Sequence, residues 1–323
     1  MKTITTAAIL AMTTVLALPV MAQDYPTGNI DMVVPYPPGG GTDIPARLIS
    51  DWLTRDRGWN FVVLNQPGAA GTIGLDQLSR AEADGYTIGI GQTANMAINP
   101  AMNAEVAYDP LTDFTPIIPI VTQPVGIIVP NDSPFEDFGQ LVEAARADPG
   151  SLLYGTPGQG TGGHMAIERL MQQGDLEFEQ VPYSGIAQAI SDVMGGVVDF
   201  YVGSVPSVLP HANSGSVRLL AVTSLEPFPI IPDVPTVASF GFEGYEAQDW
   251  KAVVGPAGMP DEAVAALNAA INEALQDPAL IANFETQGSV VMGGSPGEFR
   301  AFLASEVETW AGVVEAAGLT AER

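Results

Sequence analysis

The stretch TPIIPIVTQPVGIIVP, residues 115–130, decides how this chain is divided. Its β-branched residues read as two strands, Thr115–Val121 and Gly126–Val129, with prolines among them. Beyond it, from about Gln123 to Tyr245, the chain runs through its own alternation of strands and helices. It leaves that portion through GYEAQDWKAVVGPAG, residues 244–258, and the last segment returns to the first. Two such crossings are consistent with a hinged two-domain clamp. The expected division puts residues 23–122 and 246–323 in one lobe and residues 123–245 in the other.

Outward from the crossings, strands are expected at Ile30–Tyr36, Phe61–Asn65, Tyr86–Gly91, Leu152–Gly155, Glu179–Pro182, Phe200–Val202, Val217–Thr223 and Ala252–Gly255. Amphipathic helices follow most of them, which argues for α/β architecture. Leu48, Ile49, Trp52 and Leu53 make one helical stripe; Val264, Leu267, Ile271 and Leu275 make another. Ser133-Pro134-Phe135-Glu136 and Ser295-Pro296-Gly297-Glu298 each read as a capping box with proline at the first helical position. These parts are scaffold.

Four glycine loops sit at strand-to-helix junctions. The first, PPGGGTD (37–43), brings backbone close to a ligand at a helix start, where the first N–H groups lack internal partners. With the helix dipole they form an anion seat. Thr42 or Asp43 is the expected cap, and Asp43 has to face away and accept loop N–H groups if an anion is to sit there. The others are NQPGAAGTIG (65–74), with Thr72 near its helix start, GTPGQGTGGH (155–164), with Thr161 as a further hydroxyl donor, and PYSGIAQAI (182–190). None fits a nucleotide-binding fingerprint. In doubly wound sheets such loops share a crevice at the strand ends. One amide cradle is too weak: micromolar binding needs about −8 kcal/mol, whereas a charge-assisted hydrogen bond nets about 1.5–3 and a helix end adds about 0.3–1.

Residues 1–22, MKTITTAAILAMTTVLALPVMA, read as a secretory leader cleaved after Ala22, too short in its apolar run for a membrane span. There is no Cys, hence neither a disulfide framework nor a lipid anchor on cysteine. With Lys2 removed, the formal charge of −26 becomes −27, and Lys251 is the one lysine left beside nine arginines. Nucleic acid and anionic membrane surfaces are therefore excluded as partners. Saline surroundings account for such acidity, because salt screens the self-repulsion.

Catalysis is poorly supplied. No Cys nucleophile, HExxH or G-x-S-x-G is present, and His164 and His211 are the only histidines. His164 opens a helix and reads as a cap or packing residue, His211 as a loop surface residue. Glu306 and Glu308 read as a solvated helix face. No cofactor and no metal are expected.

The ordered set VVPYPPGGGTDIPAR, NQPGAAGTIG, ADGYTIGIG, YDPLTDFTPI, YGTPGQGTGGH, VPYSGIAQAISDVMGG, PDVPTV and DWKAVVGPAGMP resembles the periplasmic solute receptors of tripartite tricarboxylate transporters, the Bug or TctC type. The resemblance runs from about Tyr25 to Gly318. It implies a two-lobed periplasmic binding protein, a Venus flytrap of type II character, each lobe a mixed sheet flanked by helices. It further implies a monomer that captures a small organic carboxylate and hands it to membrane permease subunits. By matching motif positions, the carboxylate is held by Pro38, Gly39, Gly40, Gly41, Thr42 and Asp43 in the first lobe. In the second it is held by Gly158, Gly160, Thr161, Gly162, His164, Tyr183, Ser184 and Gly185. Tyr36, Ser204 and Trp250 are the candidates for the ligand's other end; Trp250 and Lys251 face opposite sides of a strand, so one of them at most lines the cleft. Lys251 is expected to pair with a surface acid in preference to a second ligand carboxylate. A di- or tricarboxylate such as citrate or a C4–C6 diacid is the expected ligand, with an aromatic acid such as terephthalate, or service to a sensor kinase, as the alternatives.

Overall fold

One strand carries three interior prolines, at 116, 119 and 124, and a fourth, Pro130, at its end. The computed structural model describes residues 25–183 and 186–320; the leader, Ser184 and Gly185 lie outside the described residues. In chain order the first elements are β1 (Asn29–Val34), α1 (Asp43–Arg57), β2 (Asn60–Asn65), α2 (Thr72–Ser79), β3 (Thr87–Gln92), a short α3 (Asn99–Met102) and β4 (Phe114–Pro130). There follow α4 (Phe138–Ala147), β5 (Leu153–Thr156), α5 (Gly162–Gly174), β6 (Glu179–Pro182), α6 (Ile186–Met194), β7 (Phe200–Ser204), α7 (Val205–Asn213) and β8 (Val217–Val222). The chain closes with β9 (Gln248–Pro256), α8 (Asp261–Ala274), α9 (Pro278–Thr286), β10 (Val290–Val291) and α10 (Pro296–Ala316).

The two strands expected between 115 and 130 are one. β4 pairs antiparallel with β9 through Phe114–Pro124, then with β7 and β8 from Val125 onward. It therefore belongs to both halves of the sheet, whose order is β2-β1-β3-β9-β4-β7-β5-β6 with β8 and β10 also on β4. Proline removes a ladder donor, and the register with β9 slips just after Pro116 and Pro119, leaving Ile117 and Ile120 without a register partner on β9. These bulges let a strand with so many prolines remain central. β1, β2 and β3 pair in parallel, as do β5, β6 and β7. Both halves thus keep the βαβ grammar, and the α/β two-lobed reading is met.

Thr223 ties the two crossings together. Val125 N donates to its Oγ1 at 2.9 Å, Ala247 N donates to its carbonyl at 2.9 Å, and its hydroxyl faces the Ala247 carbonyl. The residue is fully buried.

Helix α10 is the other link. Phe299 and Leu303 pack with Trp250 and Ala252 of β9, whereas Trp310, Val313 and Val314 pack with Met165, Ile167 and Leu170 of α5. One helix thus spans both halves, and its last turns rest on the α5 side. Its start carries the expected capping box of Ser295 and Glu298. The other expected box is corrected: Ser133 forms only a turn with Phe135 N, and α4 starts later, capped by Asp137 accepting from Gln140 N. His211, expected on a loop, lies in the last turn of α7. No helix among the described residues is long and apolar enough to cross a membrane.

Candidate functional site

Strand-to-helix loops of both halves open onto a cleft beneath the crossings. In the first, the Asp43 difficulty resolves by geometry. Its carboxylate is buried and turned into its own loop, accepting from Gly39 N (2.8 Å), Arg47 Nε (2.8 Å) and Asn65 Nδ2 (2.8 Å). Burial pushes the carboxyl up, but the bonds from Arg47, Gly39 and Asn65 outweigh it and hold it below the ordinary carboxylate range. Neither expected cap behaves as one in the usual way. The Thr42 hydroxyl donates to Gln92 at the end of β3 instead of capping α1. Asn65 also donates to the Tyr36 carbonyl at 2.9 Å, fixing the strand end.

Asp43→Asn is expected to cost about 2 kcal/mol at neutral pH, since the charge-assisted bonds from Gly39, Arg47 and Asn65 are weakened in a buried setting. A carboxyl held low contributes stability above its unfolded pKa and loses it as pH falls through the folded value. Melting temperatures of wild type and variant should therefore converge in acid. A gap that stays constant down the acid range would assign the effect to packing and not to charge.

The second loop is built on His164. Its Nδ1 accepts from Gly160 N at 3.1 Å, which leaves Nε2 facing Glu168 Oε1 at 3.3 Å. The ring is buried and holds the loop in shape. Thr161 is not the free hydroxyl donor that was expected. It donates to the Gly158 carbonyl at 2.7 Å and caps α5 by accepting from His164 N.

With those side chains spent on the loops, the backbone faces the ligand space. The N–H groups of Gly40, Gly41 and Thr42, and those of Thr161, Gly162 and Gly163, make no hydrogen bond to any other described residue. A cavity of about 200 Å³ is lined by Gly160–Gly163 and Pro157 on one side, Tyr36, Ala70, Gln92 and Ala94 on the other, and Val125, Ser204 and Asp249 at its base. Gly41 lines a neighbouring cavity of about 230 Å³ with Gln123, Ser207 and Phe284. Ser204 borders both, so Gly41 and the Thr161–Gly163 amides lie along one cleft and not in a single chamber.

The remaining candidates divide. Tyr36 lines the cleft, its hydroxyl donating to the Ala70 carbonyl at 2.6 Å. Burial pushes its phenol well above the ordinary range, and the Asp249 charge adds to this, so it stays a neutral donor. Tyr183 is instead a core residue, packed with Ile128, Ile190 and Tyr201. Burial, with Asp192 beside it, pushes its phenol up to about 12. Trp250 is turned away from the cleft: its Nε1 donates to Glu306 Oε2 at 2.8 Å, under α10. Strand alternation places its neighbours Asp249 and Lys251 on the opposite face. Lys251 is not at the surface but 1% exposed, its Nζ 2.7 Å from Asp249 Oδ2. Asp249, Gln92 and Gln123 were not foreseen. The same alternation that separates Trp250 from Lys251 would have pointed to Asp249.

Fold and cleft together define a two-lobed periplasmic binding protein. Residues 45–319 match the tripartite tricarboxylate transporter family receptor profile, TctC. BugT of Bordetella pertussis is 34% identical over 304 residues, 94% of this chain and 93% of BugT. An R. palustris protein solved with adipate superposes with a TM-score of 0.82 at 34% identity, over 92% of this chain and 99% of that one. MatC from Rhodopseudomonas palustris, solved with bound malate, gives 0.77 at 27% identity, over 90% and 100%. The chain belongs to the tripartite tricarboxylate transporter receptor family, whose members are periplasmic solute receptors and not enzymes.

Proposed function

We propose that this chain captures a small organic carboxylate, of the di- or tricarboxylate class, in the cleft and delivers it to the membrane subunits of a tripartite tricarboxylate transporter. The observation that carries this reading is the pair of amide triplets unpaired among the described residues, Gly40–Thr42 and Thr161–Gly163, of which Gly41 and Thr161–Gly163 line one cleft that no cationic side chain among the described residues lines. Oriented N–H groups at helix starts hold an anion without a counter-charge. Six of them, some acting through water, reach micromolar affinity where three would not. The adipate and malate found with two structural neighbours are ligands of this chemistry.

In the same reading the chain is exported through a leader cleaved after Ala22 and acts as a monomer. Residues 23–122 with 246–323 and residues 123–245 move as two lobes about the crossings at Gln123–Val125 and Ala247–Gln248, with Ser184 and Gly185 as further contacts of the carboxylate. Titration calorimetry of the mature chain against aliphatic and aromatic mono-, di- and tricarboxylates tests it. At least one acid is expected to bind with a Kd of about 1 μM or tighter, corresponding to about −8 kcal/mol. Silence across the panel, or tighter binding of a neutral or cationic control, would defeat the proposal.

A further inference from the structure

We infer that Asp249 determines the specificity of this site, accepting a hydrogen bond from a hydroxyl or ammonium carried near the ligand's carboxylate and disfavouring any second carboxylate placed there. The inference rests on the carboxylate reading above and narrows it.

Asp249 is the one acidic side chain among the described residues that line the cavity of Gly160–Gly163. Its Oδ2 is engaged by Lys251 Nζ at 2.7 Å and approached by Gln123 Nε2 at 3.3 Å. Its Oδ1 has no hydrogen bond to a described residue, and the side chain is 20% exposed. A methyl placed on Gly162 would stand 3.9 Å from the Asp249 Cβ, so the acid and the second amide triplet face each other across a narrow space. Lys251 is 1% exposed and lines neither cavity, whereas Asp249 does. The pair therefore presents its negative end to the cavity.

Two carboxylates brought close in such a site repel, and neither is neutralised by a lining cation. A hydroxyl or ammonium at the same place completes the open Oδ1 instead, and hydrogen bonds to a charged acceptor are the strong ones. The Lys251 ion pair holds Asp249 in place for that task, because a buried carboxylate without its partner would be uncompensated. The recognised class is then a hydroxy or amino acid in preference to the plain acid of the same skeleton.

Two matched series test this by calorimetry: succinate, malate and aspartate, and adipate with its 2-hydroxy and 2-amino forms. Wild type is expected to prefer the donor-bearing member of a series by about tenfold to a hundredfold. Asp249→Asn should bring that ratio close to one. Because this variant leaves Lys251 buried and unpaired, Asp249→Asn combined with Lys251→Met is measured beside it, with thermal melting to verify the fold. Carboxylates that bind without such a preference, or a preference retained in the folded double variant, overturn the role of Asp249 and leave the carboxylate reading standing. If no carboxylate of the wider panel binds, that reading falls and this one with it.

Discussion

Gly162→Val is expected to abolish ligand binding, with affinity reduced by a factor of at least about 100 and the melting temperature nearly unchanged. A Cβ at this position meets nothing closer than the Asp249 Cβ at 3.9 Å, on the lining of the cavity. There it removes the close approach that the adjoining amides need, and bonds netting about 1.5–3 kcal/mol each are lost together. Gly40→Val makes the matching test in the first loop, where the nearest atom to a new Cβ is the Pro37 carbonyl at 3.4 Å. The neighbouring Gly163 behaves oppositely. A Cβ there would stand 2.5 Å from the Val202 carbonyl, against the backbone of β7. Gly163→Ala must push α5 off the sheet and should cost stability by about 1–3 kcal/mol through overpacking. Calorimetry and thermal melting on the three variants check the contrast. Normal binding by Gly162→Val or Gly40→Val would mean that the corresponding loop does not hold the ligand.

These two adjacent glycines show what was legible in the sequence and what was not. Strand-to-helix grammar placed both glycine loops correctly, because a short apolar run, a turn and a helical stripe are local patterns. The direction of each residue depends on what packs behind it. Thr161 and Thr42 both carry a hydroxyl at a helix start, yet one caps its helix and the other donates to Gln92, fifty residues on. Tyr183 looked like a loop contact, but its ring fills the space beside Gly155 under α6. The continuity of β4 was hidden for a similar reason. Pro124 looked like a break between two strands, and only β9 and β7 alongside show that one strand runs through it, with bulges after Pro116 and Pro119. Lys251 misled most. Surface pairing is the ordinary fate of Lys, and nothing local announces that Asp249, two residues away on the same strand face, holds it fully buried.

Trp250→Ala is expected to destabilise the protein by about 3–5 kcal/mol while leaving the ligand affinity of the folded fraction within about threefold. Trp250 is 1% exposed, packed edge-on against Phe299 and Phe302 at 6.0 and 5.6 Å between centroids. Its indole N–H and that of Trp310 both donate to Glu306 Oε2, at 2.8 and 3.0 Å. Glu306, read from the sequence as part of a solvated face, is thus an acceptor beneath the helix that bridges the two halves. Burial pushes its carboxyl above the ordinary range despite the two indole bonds that pull it down. Removing one donor pushes it further up. A carboxyl whose folded pKa exceeds its unfolded one costs stability as pH rises from the unfolded value through the folded one. The variant should therefore lose stability more steeply than wild type as pH rises from about 4.3, the unfolded value for Glu. Trp250→Phe separates packing from hydrogen bonding. It keeps much of the aromatic contact and loses only the donor, for about 1–3 kcal/mol, with the same steepened pH dependence. Denaturant melts across the acid range, read beside calorimetry, decide the matter. Weak binding by a Trp250→Ala protein of wild-type stability would return this residue to the cleft.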